Sequence, residues 1–407
     1  MRILIFTQYF WPENFRINDL VHELDQREHQ ITIITGMPNY PSGTLDPKYK
    51  DNPGNFTQYF RSNVIRVPIF LRGNGSLFKI LLNYVSYTLN ASWAAWKLRK
   101  TKFDIIFVYE PSPITVCLPA IFFKSLTKTP IIFWVLDLWP ETLKSLKIIN
   151  TNFLLSLVGK LVSFIYSRCD LILGQSKGFE SEINKYSREA KKFRYFPSWS
   201  EDLFLDVSYK KIPVLSEDPN IFKITFAGNI GESQDFESIL LAAKILKNKN
   251  IAAKFFIFGD GRIRQNLQNN IISECLEDQI EVCGLYPLSD MPSIYKASDC
   301  LLATLKATPA FEKTIPAKIQ SYMLSSKPIL TMISGEGSDV VDESRCGLTS
   351  RSGDFLSLTN NIQTLIALTK EDRQNMGSNG RNYAQTEFNR EILIDKLESW
   401  FKEFQTI

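Results

Sequence analysis

Histidine is nearly missing from this chain of 407 residues, which has only His22 and His29. Its six cysteines, at positions 117, 169, 275, 283, 300 and 346, form no C-x-x-C pair. Neither a zinc site nor a disulfide framework is indicated, and a reducing compartment is the simplest expectation. His22 falls inside the first predicted helix, and His29 lies in the turn Asp25-Gln-Arg-Glu-His-Gln-Ile31 before a strand. A histidine-centred mechanism therefore has little to stand on. The first strand is not followed by the G-x-G-x-x-G of a dinucleotide site, which disfavours hydride transfer. No tract is low in complexity or polar enough to argue disorder. Met1 runs directly into the strand-like Arg2-Ile-Leu-Ile-Phe-Thr7, leaving no room for a charged start and apolar middle. Export through a signal peptide is not expected, and a cytoplasmic location is.

Hydrophobic residues make up 44% of the chain and charged residues 22%, a globular balance at a length that suits two domains. Charge is uneven. Residues 1–200 carry 25 Lys and Arg against 15 Asp and Glu, whereas residues 201–407 carry 22 against 28. The basic first half is either ordinary surface variation or a face for an anionic partner such as lipid or nucleic acid.

Apolar runs of strand length alternate with helical patterns. Arg2–Thr7, Ile31–Thr35, Asp104–Glu110, Pro130–Leu136 and Asp170–Gly174 form one series. Phe222–Ala227, Lys254–Gly259, Gln279–Cys283, Asp299–Leu305 and Pro328–Met332 form a second. This is the βαβ signature of parallel sheets covered on both faces, so the expected fold class is α/β with two Rossmann-like domains. The expected divisions are a first Rossmann-like domain over 1–205, a second over 206–385 and a closing helix in 386–407. The apolar segment Leu77–Trp96 holds too many polar groups for a comfortable membrane span and predicts a partly buried helix. Its Trp93 and Trp96 precede the cluster Lys97-Leu-Arg-Lys-Thr-Lys102. These tryptophans are expected in a core beside a solvated charged face rather than at a bilayer surface.

Three elements of the second half follow strands and open helices, where open α/β sheets place ligands. The glycines of Ala227-Gly-Asn-Ile-Gly-Glu-Ser-Gln-Asp235 let the backbone approach a phosphate before a helix expected from about Ser233. In Phe258-Gly-Asp-Gly-Arg-Ile-Arg264, Arg262 and Arg264 could clamp a pyrophosphate or stand solvated on a surface turn. In Phe311-Glu-Lys-Thr-Ile-Pro-Ala-Lys-Ile-Gln320, Pro316 marks the first turn of a helix whose free amides favour an anion. Glu312 is expected in the loop before that helix and Gln320 about one turn inside it, both within reach of a ligand seated on the helix terminus.

In the first half, Phe133-Trp-Val-Leu-Asp-Leu-Trp-Pro-Glu141 puts Asp137 at the end of an apolar strand, as a crevice acid or as a turn carboxylate. The loop Gln8-Tyr-Phe-Trp-Pro-Glu-Asn-Phe-Arg-Ile-Asn-Asp19 is rich in groups that stack on or bond to sugar rings. Trp11, Glu13, Asn14 and Arg16 from it, with Glu110 at another strand end, are the acceptor-side candidates.

The order of these motifs, with Gly284-Leu-Tyr-Pro287, Tyr295-Lys-Ala-Ser-Asp299 and Pro316-Ala-Lys-Ile-Gln320, resembles the retaining GT-B glycosyltransferases of family four. Within these the chain is most similar to the WbuB-like and colanic-acid-type enzymes of bacterial O-antigen, capsule and exopolysaccharide synthesis. The resemblance covers nearly the whole chain. It implies metal-independent transfer of an N-acetylated or deoxy hexose from a nucleotide-sugar, UDP-linked, to a lipid-linked saccharide, with no cofactor and no nucleic-acid partner. It also implies a peripheral place on the cytosolic face of the membrane, against anionic lipid. By resemblance, Glu312 is catalytic and holds hydroxyls of the donor sugar; Asp137 is assigned a catalytic role by its position alone. Gly228, Asn229, Gly231, Gln234, Gly259, Arg262, Arg264, Leu285, Tyr286, Pro316, Lys318 and Gln320 are donor-binding.

Three departures stand out. The motif reads E-x7-Q, so Gln320 takes the place of a glutamate on the ribose and brings no charge. Gln234 stands where many members have a phosphate-binding lysine, which leaves Arg262, Arg264, Lys318 or helix amides to meet the pyrophosphate. Many members have histidine where this chain has Leu136-Asp137. Two other classes share parts of this pattern: a GT-B sugar-nucleotide epimerase, which needs no acceptor, and a non-catalytic binder of nucleotide-sugar or nucleic acid.

Overall fold

The computed structural model describes residues 1–404 except 74, 188, 190, 191, 201, 205–209 and 216–219. The chain forms two compact units, Met1–Pro197 with Glu391–Ile407, and Ser198–Arg390. The boundary expected at 205/206 lies outside the described residues. The second crossing falls at 390/391 rather than 385/386, because the Lys370–Glu387 helix is held by the second unit. Gly377 explains that hold: a Cβ there would come within 2.1 Å of the Ser326 carbonyl, so glycine alone lets this helix lie so close.

The first unit is built on an eight-stranded sheet, β1 (Arg2–Thr7), β2 (Gln30–Gly36), β3 (Gln58–Tyr59), β4 (Ser62–Val67), β5 (Ile105–Glu110), β6 (Ile131–Val135), β7 (Leu171–Gly174) and β8 (Phe193–Tyr195). Their spatial order is β3-β4-β2-β1-β5-β6-β7-β8, parallel throughout except for the β3–β4 pair. Ile3 to Phe6, Ile105 to Val108 and Ile131 to Val135 are fully buried, which is why these strands read as unbroken apolar runs. Each such side chain contributes about 1.5–3 kcal/mol on leaving water. The chain winds outward from β1 through β2 and then returns to the other side of β1 at β5. This reversal makes a switch point between the C-terminal ends of β1 and β5, flanked by the loop after Thr7 and by Glu110.

The final helix, Arg390–Glu403, packs on this sheet through Leu393, Ile394, Leu397 and Phe401, whose ring lies 6.1 Å from that of Phe107. Arg27 pairs with Asp395 and, at 2.7 Å, with Glu398. His29 Nε2 lies 2.6 Å from Glu398 Oε1, so this histidine tethers the last helix, in keeping with its structural reading.

The Leu77–Lys97 helix corrects the expectation that its large apolar residues serve a core. It buries Asn83, Ser86, Tyr87, Ala91, Ala94 and Ala95 instead. Asn83 Nδ2 donates to the Phe70 carbonyl at 2.6 Å, and the Tyr87 hydroxyl donates to the Thr7 carbonyl at 3.1 Å. Leu77, Leu81, Val85, Leu89 and Trp93 face outward at helical spacing, Trp93 with 57% of its surface exposed. Trp93 and Trp96 stack on each other at 4.9 Å, and Arg99 covers Trp96 at 3.8 Å. Among the described residues no helix is long and apolar enough to cross a membrane.

The second unit holds a six-stranded, all-parallel sheet of β9 (Phe222–Ala227), β10 (Ala253–Phe258), β11 (Ile280–Gly284), β12 (Cys300–Thr304), β13 (Ile329–Met332) and β14 (Gly347–Ser350). Its order is β11-β10-β9-β12-β13-β14, which puts a second switch point between β9 and β12.

Candidate functional site

At the C-terminal edge of the second sheet, the loops after β9, β10 and β11 are joined to one another by backbone hydrogen bonds. The Gly228 amide donates to the Phe258 carbonyl at 2.9 Å, the Ile230 amide to the Asp260 carbonyl at 2.8 Å, and the Gly259 amide to the Gly284 carbonyl at 2.8 Å. The approach is so close that a Cβ on Gly259 would lie 1.9 Å from the Gly228 carbonyl oxygen, and one on Gly261 would lie 2.2 Å from that of Ile230. Glycine is therefore needed at both positions. The helix after the first loop starts at Phe236 rather than near Ser233, because Asp235 caps it by accepting the Ser238 amide at 3.2 Å.

The 309–324 segment completes this edge. Pro309–Glu312 is a single helical turn capped by the Thr308 hydroxyl, so Glu312 ends a turn instead of lying in open loop. Pro316 is the N-cap of the Ala317–Leu324 helix, one position before the expected first turn. Gly335, at φ +81°, brings its backbone against that of Glu312, where a Cβ would meet the Glu312 carbonyl at 2.1 Å. The Glu312 side chain itself is exposed and has no partner among the described residues. Gln320 is almost wholly buried, and its Oε1 is without a hydrogen-bond partner, as is the buried hydroxyl of Thr304 at the end of β12. Tyr322 locks this helix to the glycine loop, since its hydroxyl accepts the Ala227 amide at 3.0 Å.

Of the candidate cations, Arg262 is exposed. Arg264 lies 3.6 Å from Asp260 and beside Gly284, with its Nε buried and unbonded. Lys318 turns inward from the first turn of its helix. Its Nζ stands 3.4 Å from Gln234 Oε1 and 3.7 Å above the Phe226 ring. Burial brings the Lys318 ammonium down to about 7. Leu285 stands exposed after β11, and Tyr286 packs edge-on against Phe258 at 5.1 Å. The structure thus brings Gly228, Asn229, Gly231, Gln234, Gly259 and Lys318 together, with Arg264 at one side and Glu312 and Gln320 on the adjoining segment.

In the first unit, Glu13 proves to be a brace for its own loop. Its Oε1 accepts the amides of Asn39 at 2.8 Å and Tyr40 at 2.7 Å, and its Oε2 accepts that of Phe10 at 3.2 Å. Burial pushes its carboxyl up to about 7 against the pull of these amides and of Arg66. That corrects its assignment as a sugar-binding group, because both oxygens are taken. Trp11 packs with tilted rings against Phe56 and Tyr59, at 4.8 and 5.5 Å. Asn14 is exposed, and Arg16 pairs with Asp19 at 3.2 Å in the helix that starts at Arg16. Arg66, half-buried beside this loop, donates to the Gly36 carbonyl at 3.0 Å and to that of Trp11. Sequence reasoning missed it; the basic residue inside the alternating Ser62-Asn-Val-Ile-Arg-Val67 was its one signal.

Glu110 and Asp137 meet because β5 and β6 are parallel and in register, with Glu110 opposite Val135. The Asp137 amide donates to Glu110 Oε2 at 3.4 Å. Glu110 is fully buried, its Oε1 unpartnered, and its carboxyl is pushed well above the usual range by desolvation and by the charge of Asp137. Asp137 Oδ2 accepts the Trp139 indole N–H at 3.2 Å, and Thr142, Ser112 and the Leu138 amide also bond its carboxylate. Desolvation still raises Asp137 above the ordinary aspartate range. The two acids therefore differ: burial pushes both carboxyls toward the neutral form, Glu110 the more strongly, while Asp137 is held by side-chain donors from Trp139, Thr142 and Ser112.

Residues 209–383 match the family of glycosyl transferases group 1. Over 278 residues, 65% of this chain and just under two thirds of the other (66%), the sequence is 26% identical to the probable glycosyltransferase WbjE of Pseudomonas aeruginosa. Over 341 residues, 79% and 81% of the two chains, it is 24% identical to the putative colanic acid biosynthesis glycosyl transferase WcaI of Escherichia coli strain K12. The structure of Anabaena HepE in complex with UDP superposes with a TM-score of 0.72 at 14% identity, covering 99% of this chain and 100% of that one. The two parallel-sheet units have the GT-B glycosyltransferase fold.

Proposed function

We propose that this chain, whose residues 209–383 form a group 1 glycosyltransferase domain, transfers a sugar from a UDP-sugar to a lipid-linked saccharide in bacterial polysaccharide synthesis. The observation that carries the reading is the edge of the second sheet, where interlocked glycine turns expose backbone to a diphosphate beside Lys318 and Gln320. The unbonded Oε1 of Gln320 suits a ribose hydroxyl, and the free carboxylate of Glu312 suits hydroxyls of the donor sugar. Leu285 offers an apolar surface to a base, and an N-acetylated or deoxy hexose is the proposed cargo.

Transfer is proposed to retain configuration and to need no metal. The acceptor oxygen bonds to the anomeric carbon on the face from which the phosphate oxygen departs, and that oxygen takes the acceptor proton. Asp137 orients the acceptor hydroxyl. The protein's part is then positioning and stabilisation of the departing phosphate. Thermal shifts with a panel of nucleotide-sugars should show stabilisation by UDP and a UDP-sugar, and transfer to lipid-linked acceptors should follow with the same donor. If no nucleotide-sugar moves the melting point, the donor reading falls; donor turnover without any acceptor would favour an epimerase.

The acceptor's lipid implies a peripheral place on the cytosolic membrane face. Its support is the outward apolar stripe of the Leu77–Lys97 helix, together with Phe153, Leu154 and Leu157 on the Asn152–Arg168 helix, in the more basic half of the chain. Exposed apolar surface of this kind commonly marks a docking face. Each cation near anionic lipid adds about 1 kcal/mol. The protein should sediment with vesicles containing phosphatidylserine at low salt and be released as salt rises. Neutralising Lys97, Arg99, Lys100 and Lys102 should weaken the binding, and Leu81→Asp with Leu89→Asp should remove it even at low salt. A wild-type chain that stays in the supernatant at low salt would refute the surface.

A further inference from the structure

We propose that Lys318 supplies the cation for the donor's diphosphate, reaching from the Ala317–Leu324 helix across to the glycine turn after β9, and that it takes up a proton as the nucleotide binds. The inference rests on the donor-site reading above and deepens it. Three contacts fix where the amine lies. Its Nζ is 3.4 Å from Gln234 Oε1, 3.7 Å from the centroid of the Phe226 ring, and 3.1 Å from the point where a Cβ on Gly228 would stand. The last contact shows that Gly228 leaves open the space the amine uses. A side chain there would separate Lys318 from the turn.

The other basic groups near this edge are differently engaged. Arg264 faces Asp260, and Arg262 and Lys306 are exposed. No carboxylate partners Lys318 among the described residues. Asp235 caps its own helix, Asp260 lies against Arg264, Glu232 and Glu312 stand on the exposed side, and the Tyr322 hydroxyl is held by Ala227. A lysine enclosed by an aromatic ring, an amide and a glycine turn, with no counter-ion, is poorly stabilised as a cation. The Phe226 ring offers part of the missing stabilisation, but one neutral amide oxygen does not replace a carboxylate. A diphosphate in the turn would supply the anion that the free site lacks.

The sign follows from linkage. Burial lowers the free-state ammonium to about 7 from the usual lysine value of 10.5. A bound diphosphate favours the charged form and raises it again, so binding above neutrality must add a proton. Below neutrality the amine already carries that proton and uptake vanishes. UDP affinity should therefore fall between pH 7.5 and 8.5 by up to about tenfold.

Calorimetry with UDP on the full chain, in two buffers of different ionisation heat at pH 8, tests this directly. The wild type should take up nearly one proton per UDP bound. Lys318→Ala should bind UDP about 10- to 100-fold more weakly at pH 7, the loss of one charge-assisted contact, and should show neither uptake nor pH slope. Because residue 234 reaches the same spot, Gln234→Lys added to Lys318→Ala should restore most of the affinity. Lys318→Ala with wild-type affinity and slope would overturn the assignment. So would a wild type that binds UDP with no proton uptake, a result that stands even if the alanine variant does not fold. A wild type that binds no UDP at any pH would overturn the donor reading itself, and this inference with it.

Discussion

Glu312→Ala should lower sugar transfer by at least about two orders of magnitude while leaving the melting temperature within a degree or so of wild type. The expected loss is of the size seen when one preorganised polar contact to a transition state is removed. The structure makes the stability half of this prediction firm: the carboxylate is exposed and bonds to no described residue, so its removal costs the fold almost nothing. What fixes the residue is its backbone, through the Thr308 cap and the close packing of Gly335. A polar group held at a rigid place but left unbonded is arranged for something other than folding. If Glu312 holds donor-sugar hydroxyls that tighten in the transition state, the loss should fall mainly on kcat, with UDP affinity unchanged. Transfer at the wild-type rate by the folded variant would remove Glu312 from the site. Gly335→Ala offers a contrast, because its added Cβ must push the Glu312 backbone and should damage stability and transfer together.

Legibility in the sequence followed burial. The central strands β1, β5, β6, β9 and β12 were visible because both of their faces are covered and most of their residues are apolar. The edges were not. Strands β3, β4, β8 and β14 are short or carry polar residues on a half-covered face, so Ser62–Val67 and Gly347–Ser350 show no clear run. The Leu77–Lys97 helix was found by length but turned the wrong way, since periodicity gives a stripe and does not say whether protein or another medium covers it. Its buried side is chosen by Asn83 and Tyr87, which satisfy backbone carbonyls, and by alanines that allow close approach. The glycine loops were legible because glycine has a local conformational meaning. The meeting of Lys318 with Gln234 was not, because 84 residues separate them and only the placement of the helix against β9 brings them together. Glu13 was misread for a related reason: an acid in an aromatic loop resembles a sugar ligand until the amides of residues 39 and 40 are seen to occupy it.

Asp137→Asn is expected to lower turnover by about two to four orders of magnitude, in the range of general acid–base contributions, with UDP affinity nearly unchanged. The carboxylate is held in one orientation by the Trp139 indole, by Ser112 and Thr142, and by the Leu138 amide. Such donors preorganise a charged acceptor, and the same donors give asparagine a structural cost, because its amide nitrogen must face one of them. That cost should be about 1–3 kcal/mol, or a few degrees in a unit of this size. The two readings of Asp137 therefore separate cleanly. A turn brace alone would lower the melting point and leave kcat untouched in the surviving folded protein. A residue that orients the acceptor hydroxyl would lower kcat below the melting transition, at temperatures where both proteins are fully folded. Glu110→Gln supplies the control. Burial pushes the Glu110 carboxyl toward its neutral form, which glutamine matches in shape and charge. It should leave turnover within about threefold of wild type, since one neutral hydrogen bond changes by only about 0.5 kcal/mol. If Glu110→Gln is as damaging as Asp137→Asn, the proton on Glu110 takes part in the reaction and the two acids act as a pair.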